Sequence, residues 1–170
     1  MNYDIIVVGG GHAGCEAALA AARRGFKTVL TTLDINWIAS MPCNPSVGGP
    51  AKGIVVREID ALGGQMGKNA DATALQFKML NTTKGPGVRS LRVQSDKIEY
   101  KKRMQETLLH QDNLEVREIM VEEVLVSDGR VTGIRLENGE VLNGRAVILT
   151  TGTYMDSLVM VSDEVTPQGP

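Results

Sequence analysis

The stretch Asp4-Ile5-Ile6-Val7-Val8-Gly9-Gly10-Gly11-His12-Ala13-Gly14-Cys15 decides the fold. Its first five residues form a continuous apolar, β-branched run, the pattern of a parallel strand buried on both faces. Gly9, Gly11 and Gly14 then fit G-x-G-x-x-G. In that spacing the first glycine lets the strand turn sharply. The second lets backbone approach a pyrophosphate, and the third packs the following helix on the strand. Cys15 to Arg24 is Ala-rich and reads as that helix, stopped by Gly25. Lys27–Thr32 reads as a second strand, completing a right-handed βαβ unit. The helix N-terminus supplies amides and partial positive charge for an anion. Gly9, Gly10, Gly11, His12, Ala13 and Gly14 are therefore the expected dinucleotide-binding turn. Thr32 stands where such folds usually place an Asp or Glu against the ribose, with Asp34 two residues later. Thr32 or nearby backbone is the expected ribose contact, and a plain NAD dehydrogenase is disfavoured.

The bulk numbers suit one domain. The chain has 170 residues, and Lys plus Arg total 18 against 20 Asp plus Glu. That near balance argues against a surface that grips nucleic acid all over, while leaving room for a local basic patch. Two cysteines, Cys15 and Cys43, cannot build a disulfide framework and match no zinc spacing, which favours a reducing, cytoplasmic setting and no metal. The run Ile5–Val8 is too short for a membrane span or a signal h-region, so no membrane association is expected.

From about Asp34 to Ser95 the chain carries many Gly/Pro punctuators, and so long an excursion between strands is usually functional. A helix is expected from about Gly53 to Leu62, and a second short helical piece over Ala74–Leu80. Ser95 is expected to cap a helix reaching about His110. Leu114–Ile119 and Val121–Ser127 read as strands. Asp128-Gly129 turns into Val131–Glu137, and Asn138-Gly139 turns into Glu140–Leu142. Arg145–Thr150 reads as a final buried strand ending at Thr151-Gly152-Thr153. The domain is expected to span 1–153, with 154–170 starting a linker to a further domain.

The strand ending at Thr151-Gly152 resembles the A-T-G segment of two-dinucleotide-binding flavoproteins, as does the hairpin before it. That resemblance implies an α/β, Rossmann-like FAD-binding domain: a central parallel sheet, a β-hairpin or meander, and a long Gly/Pro-rich insertion. It also places Thr151 and Gly152 at the cofactor edge and the adenine against backbone at Val121.

A more specific resemblance follows from Met41-Pro42-Cys43-Asn44-Pro45-Ser46-Val47-Gly48-Gly49-Pro50-Ala51-Lys52-Gly53. Glu58–Gly64, Gln76-Phe77, Leu80-Asn81 and Lys84–Arg89 extend it. Over residues 4 to about 153 the chain resembles the GidA/MnmG family. The resemblance implies an FAD-dependent enzyme that builds 5-carboxymethylaminomethyluridine at the tRNA wobble position, in a protein much longer than 170 residues. It further implies NADH as flavin reductant, methylenetetrahydrofolate as one-carbon donor, an MnmE-type GTPase partner and a homodimer at full length. Other readings are a folate- and FAD-dependent tRNA methyltransferase, a generic flavin oxidoreductase, or a nucleotide-binding fragment without turnover.

Cys43 is the candidate catalytic residue. Prolines flank it in a loop, and the family has a cysteine there. A thiolate there could attack the uridine C6 and activate C5. The competing reading is a structural thiol shaping a loop beside the flavin. Cys15, on the Ala-rich helix, reads as core packing. His12 is expected to act through its backbone amide more than by acid/base chemistry. Lys52 reads equally as an anion contact or a solvated lysine. Lys84, Arg89, Arg92, Lys97, Lys101, Lys102 and Arg103 form a local basic excess. Arg89 and Arg92, in the loop before the helix, are the candidate tRNA phosphate contacts; the four from Lys97 onward fit a solvated helix face at least as well.

Overall fold

In the computed structural model, residues 2–153, 155, 158–161 and 164–167 are described. β1 (Asn2–Val8), α1 (His12–Arg23) and β2 (Thr28–Thr32) form the expected βαβ unit, with β1 and β2 parallel. The insertion supplies β3 (Ser46–Gly48), α2 (Lys52–Ala61), α3 (Met66–Ala72), β4 (Ala74–Leu80) and β5 (Ser90–Ser95). Next come α4 (Lys97–Leu109), β6 (Leu114–Glu118), β7 (Val121–Ser127), β8 (Arg130–Leu136) and β9 (Val141–Leu149). β10 (Leu158–Val161) and β11 (Glu164–Pro167) pair antiparallel within the segment expected to be linker; the rest of that expectation lies largely outside the described residues.

The main sheet runs β6-β2-β1-β9-β8-β7. Its first four strands are parallel, and β8 and β7 continue antiparallel. Side chains alternate along a strand, so β1 sends Val7 to one face and Ile6 and Val8 to the other. On the first face Val7 and Leu30 pack against Cys15, Ala18 and Leu19 of α1 and Tyr100, Met104 and Leu108 of α4. On the second, Ile6, Val8 and Val29 pack against Ile134, Leu136 and Leu142. Both faces of β1 are covered, which is why its sequence is a continuous apolar run rather than an alternation.

The second cover is the meander itself. Only Ile119 and Met120 separate β6 from β7, although the pairing order puts those strands at opposite ends of the sheet. The meander must therefore curl back over the parallel strands. The Glu137 amide donates to the Met120 carbonyl at 3.1 Å, and Arg117 on β6 makes a 2.8 Å ion pair with Glu140 at the β8–β9 turn. The result is three layers: helices, parallel sheet, meander.

Three expectations are corrected. Ala74–Leu80 is not helical: it is β4, paired antiparallel with β5, while β5 also pairs with β3. Leu75, Phe77 and Met79 alternate along it, a period-2 pattern that local helix propensity obscured. The residue capping α4 is Asp96, whose carboxylate accepts from the Ile98 and Glu99 amides; Ser95 ends β5 instead. Glu140–Leu142 and Arg145–Thr150 are not separate strands. They belong to the single strand β9, whose first part pairs with β8 and whose later part pairs with β1.

Candidate cofactor and substrate site

The three glycines of the turn do three different jobs. Gly9 has φ +109°, and a Cβ there would run into the Thr150 carbonyl. A Cβ on Gly14 would overlap the Gly9 carbonyl oxygen, so α1 can cross β1 only with glycine at that position. Gly11 is the opposite case: nothing lies within 4 Å of its Cβ position. Gly11 is also the N-cap of α1, where no side chain caps the helix and no acid lies in its first turn. The start of α1 is thus an open backbone cradle with unpaired positive dipole, which fits the pyrophosphate of FAD. The helix begins at His12, three residues earlier than its composition suggests, so the His12 and Ala13 amides belong to that cradle.

The other expected cofactor residues surround the carboxyl ends of the parallel strands, where ligands of doubly wound sheets bind. The Thr150 hydroxyl donates to the Val8 and Gly9 carbonyls at 2.9 and 3.0 Å, tying the end of β9 to the turn. Thr151 and Gly152 follow directly, with Gly152 at φ +64°. Thr32 ends β2, and its hydroxyl donates to the Asp34 carbonyl at 3.2 Å. Asp34 in turn accepts from the Asn36 amide at 2.7 Å. Both side chains are engaged locally. Val121 opens β7 just past β6, whose last residue is in register with Thr32.

The Cys43 loop is pinned at three places. The Ala39 amide donates to the Gly10 carbonyl at 3.0 Å, Lys97 Nζ to the Pro42 carbonyl at 3.3 Å, and the Ser95 amide to the Pro45 carbonyl at 2.8 Å. Cys43 itself is exposed. It is a free thiol on a loop strapped to the phosphate turn, four residues from the strap. Cys15 is fully buried, its thiol pushed up to about 12 by burial first and by Glu16 second, so it stays protonated and inert.

His12 stacks at a tilt against Tyr100, with ring centroids 5.7 Å apart. Burial, and then the charge of Lys52, hold its imidazole below the ordinary value. Lys52, at the first residue of α2, also donates to the Ser46 carbonyl at 3.4 Å.

The basic excess divides into unlike parts. Arg89 precedes β5, with its Nε donating to the Lys84 carbonyl at 3.3 Å. Arg92 is not in a loop: it lies on β5, partly buried, and bonds Gln94. Lys102 and Arg103 line a groove of about 340 Å³ together with Asp96, Glu99 and Glu106, so charge there is balanced.

Glu16 went unnoticed in the sequence. Its carboxylate accepts from the Gln65 amide at 2.9 Å and from the Met66 amide, capping α3 from across the molecule. Arg23, two turns further on, donates to the Gly63 carbonyl at 2.9 Å and to Gln65 Oε1 at 2.6 Å. The helix carrying the phosphate cradle thus also clasps the insertion. The signal was there: Glu16 is the lone acid in an Ala-rich helix.

Comparison with known proteins agrees with this fold. Residues 4–170 match the family model described as glucose inhibited division protein A. The chain is 54% identical over 169 residues to the tRNA uridine 5-carboxymethylaminomethyl modification enzyme MnmG of Streptococcus agalactiae, covering 99% of this chain and 27% of that protein. It is 55% identical over 171 residues to the enzyme of the same name from Lactococcus lactis, again covering 99% and 27%. The chain therefore spans about a quarter of the length of these relatives. The structure of Aquifex aeolicus GidA superposes with TM-score 0.93 at 48% identity, over 99% of this chain and 28% of that one. PqsL of Pseudomonas aeruginosa, described as a probable FAD-dependent monooxygenase, superposes at TM-score 0.58 and 17% identity over 86% of this chain and 42% of that one, a likeness of fold alone.

Proposed function

The chain belongs to the glucose inhibited division protein A family, and from that premise we propose that it is the FAD-binding portion of a tRNA wobble-uridine modification enzyme. The observation that carries the FAD assignment is the empty volume at Gly11 beside an uncapped helix start, closed on its other side by the Thr150 strap. Gly9 to Gly14 would hold the pyrophosphate. Thr151 and Gly152 would approach the flavin through backbone, and Val121 would meet the adenine. The Thr32 hydroxyl donates to the Asp34 carbonyl and keeps its acceptor lone pairs, so Thr32 or nearby backbone would meet the ribose.

Bound FAD supplies redox chemistry for fixing the transferred carbon; the chain's own residues bind and orient. Cys43 is the candidate nucleophile. Its thiolate sulfur would bond to the uridine C6, moving the C5–C6 electron pair so that C5 can attack the incoming carbon. Loss of the C5 proton would then expel the thiolate and restore the double bond. The strap of Ala39 to Gly10 fixes the loop relative to the cofactor turn, so the thiol and the flavin would share one frame.

The full-length protein is proposed to use NADH and methylenetetrahydrofolate, to act with an MnmE-type GTPase, to form a homodimer and to work in the cytoplasm. Among the described residues no helix is long and apolar enough to cross a membrane. Residues 1–153 would be the FAD domain, with 154–170 leading onward. Arg89 and Arg92 are proposed tRNA contacts.

Cys43→Ser in the full-length protein tests the reading. It should keep the flavin absorption bands and lose the modified wobble nucleoside, measured by mass spectrometry of digested tRNA. Wild-type modification levels in that variant would remove Cys43 from the chemistry. A colourless wild-type protein that FAD fails to stabilise thermally would remove the flavin.

A further inference from the structure

A second cavity, of about 230 Å³, lies between the start of α2 and the short turn Pro86–Val88. Arg57 and Arg89 line it, with Ser90, Gly49, Gly53 and Gly87. No carboxylate is among its lining residues, in contrast to the mixed-charge groove on α4. α2 has no side-chain cap and no acid in its first turn. Among the described residues neither Arg57 nor Arg89 makes an ion pair. A decisive feature is Ser90. It is only 8% exposed, and its buried hydroxyl has no hydrogen-bond partner. A buried hydroxyl without a partner is costly unless a ligand or water satisfies it.

We propose that this cavity is an oxyanion subsite that takes one backbone phosphate of the bound tRNA. A guanidinium is a planar fork of donors that matches phosphate oxygens in pairs. The Gly53 and Ile54 amides at the start of α2 already donate to the Gly49 and Ala51 carbonyls, so the helix adds only its dipole, and Ser90, which lines the cavity, adds a neutral donor. Both arginines are exposed, so the cavity is reached from solvent by a group carried on a large polyanion. It is a different helix start from the α1 cradle that fits FAD. The inference rests on tRNA being the substrate. It separates Arg89 from Arg92, which is engaged on β5, and adds Arg57 and Ser90, which charge counting alone did not single out.

The test is tRNA binding by the full-length, flavin-loaded protein, read by fluorescence anisotropy over a series of salt concentrations. Arg57→Gln should weaken binding about tenfold, as for a lost hydrogen bond to a charged group. It should also reduce the slope of log affinity against log salt by about 0.7–0.9, the release of one counterion. Arg57→Lys keeps the charge and should keep the slope. Ser90→Ala should weaken binding about threefold, in line with a neutral hydrogen bond, with the slope unchanged. Wild-type affinity and slope in Arg57→Gln and Ser90→Ala, with flavin retained, would overturn the subsite and leave the substrate reading standing. Failure of the wild-type protein to bind tRNA would overturn both.

Discussion

The βαβ unit and the outer elements of the insertion are built on different plans. All five residues of β2 are buried, and α1 buries Gly14, Cys15, Ala18, Leu19 and Ala22. In the insertion, α2 buries none of its ten residues, and the five inner residues of β4 are exposed. The first region is held by apolar burial on both faces. The second joins that core through its inner side, with Ile38, Met41, Val47, Ala70 and Val93 buried in it, while the Glu16 and Arg23 clasp, the Ala39 strap and the β3–β5–β4 ladder tie its outer elements. The exposed elements α2 and β4 can be tuned for substrate without disturbing the cofactor platform, which is where functional loops belong on a rigid scaffold.

Four experiments would break or sharpen that contrast. The largest effect is expected at Gly14. Gly14→Ala should cost about 3 kcal/mol or more, because overpacking there pits a Cβ against backbone. Gly11→Ala meets open space and should change apoprotein stability by no more than about 0.5 kcal/mol, yet lose FAD affinity. Thermal melts of the apoproteins and flavin titrations read the two losses separately.

Next in size is the core. Leu30→Ala should cost about 2–5 kcal/mol, as for a fully buried leucine, and Phe77→Ala about 0.5 kcal/mol or less. Leu30 is 0% exposed and Phe77 58%. Equal losses in denaturant titrations would refute the two-plan description.

The clasp should matter locally. Glu16→Ala removes two backbone-to-carboxylate hydrogen bonds, each worth about 1.5–3 kcal/mol at most. Hydrogen exchange should quicken at Gln65 to Ala72 while β1 and β2 keep their protection. Uniform quickening would mean that the insertion and the platform open together.

The smallest effect is a pH dependence. The folded-state value of His12 is depressed, by burial and then by Lys52, so the unfolded chain binds that proton more tightly. His12 therefore contributes stability that is fully present above the ordinary imidazole value of about 6.5 and is lost as pH falls toward the folded value. His12→Gln should flatten the dependence of Tm on pH across that window. An unchanged slope would show that the imidazole is not the group responsible.

The sequence by itself determined the platform. The run Ile5–Val8, the Gly9-x-Gly11-x-x-Gly14 spacing and the Gly25 stop each follow from backbone sterics and burial within a few residues, so local reading reaches them. The Asp128-Gly129 turn was legible for the same reason: both residues have positive φ, at 50° and 71°, as a tight hairpin demands. The loop position of Cys43 was legible from its prolines, and the thiol is exposed there. The tertiary structure alone decided the rest. Whether Ala74–Leu80 is helix or strand depended on β5, sixteen residues later, offering it a ladder. That β7 and β8 cover the sheet depended on the curl after Met120. The meeting of Glu16 with Gln65, and the placing of Arg57 and Ser90 on one cavity, depended on chain crossings that no window of neighbouring residues contains. Local sterics write themselves into adjacent residues; partners far apart in the chain are chosen only when packing brings their elements together.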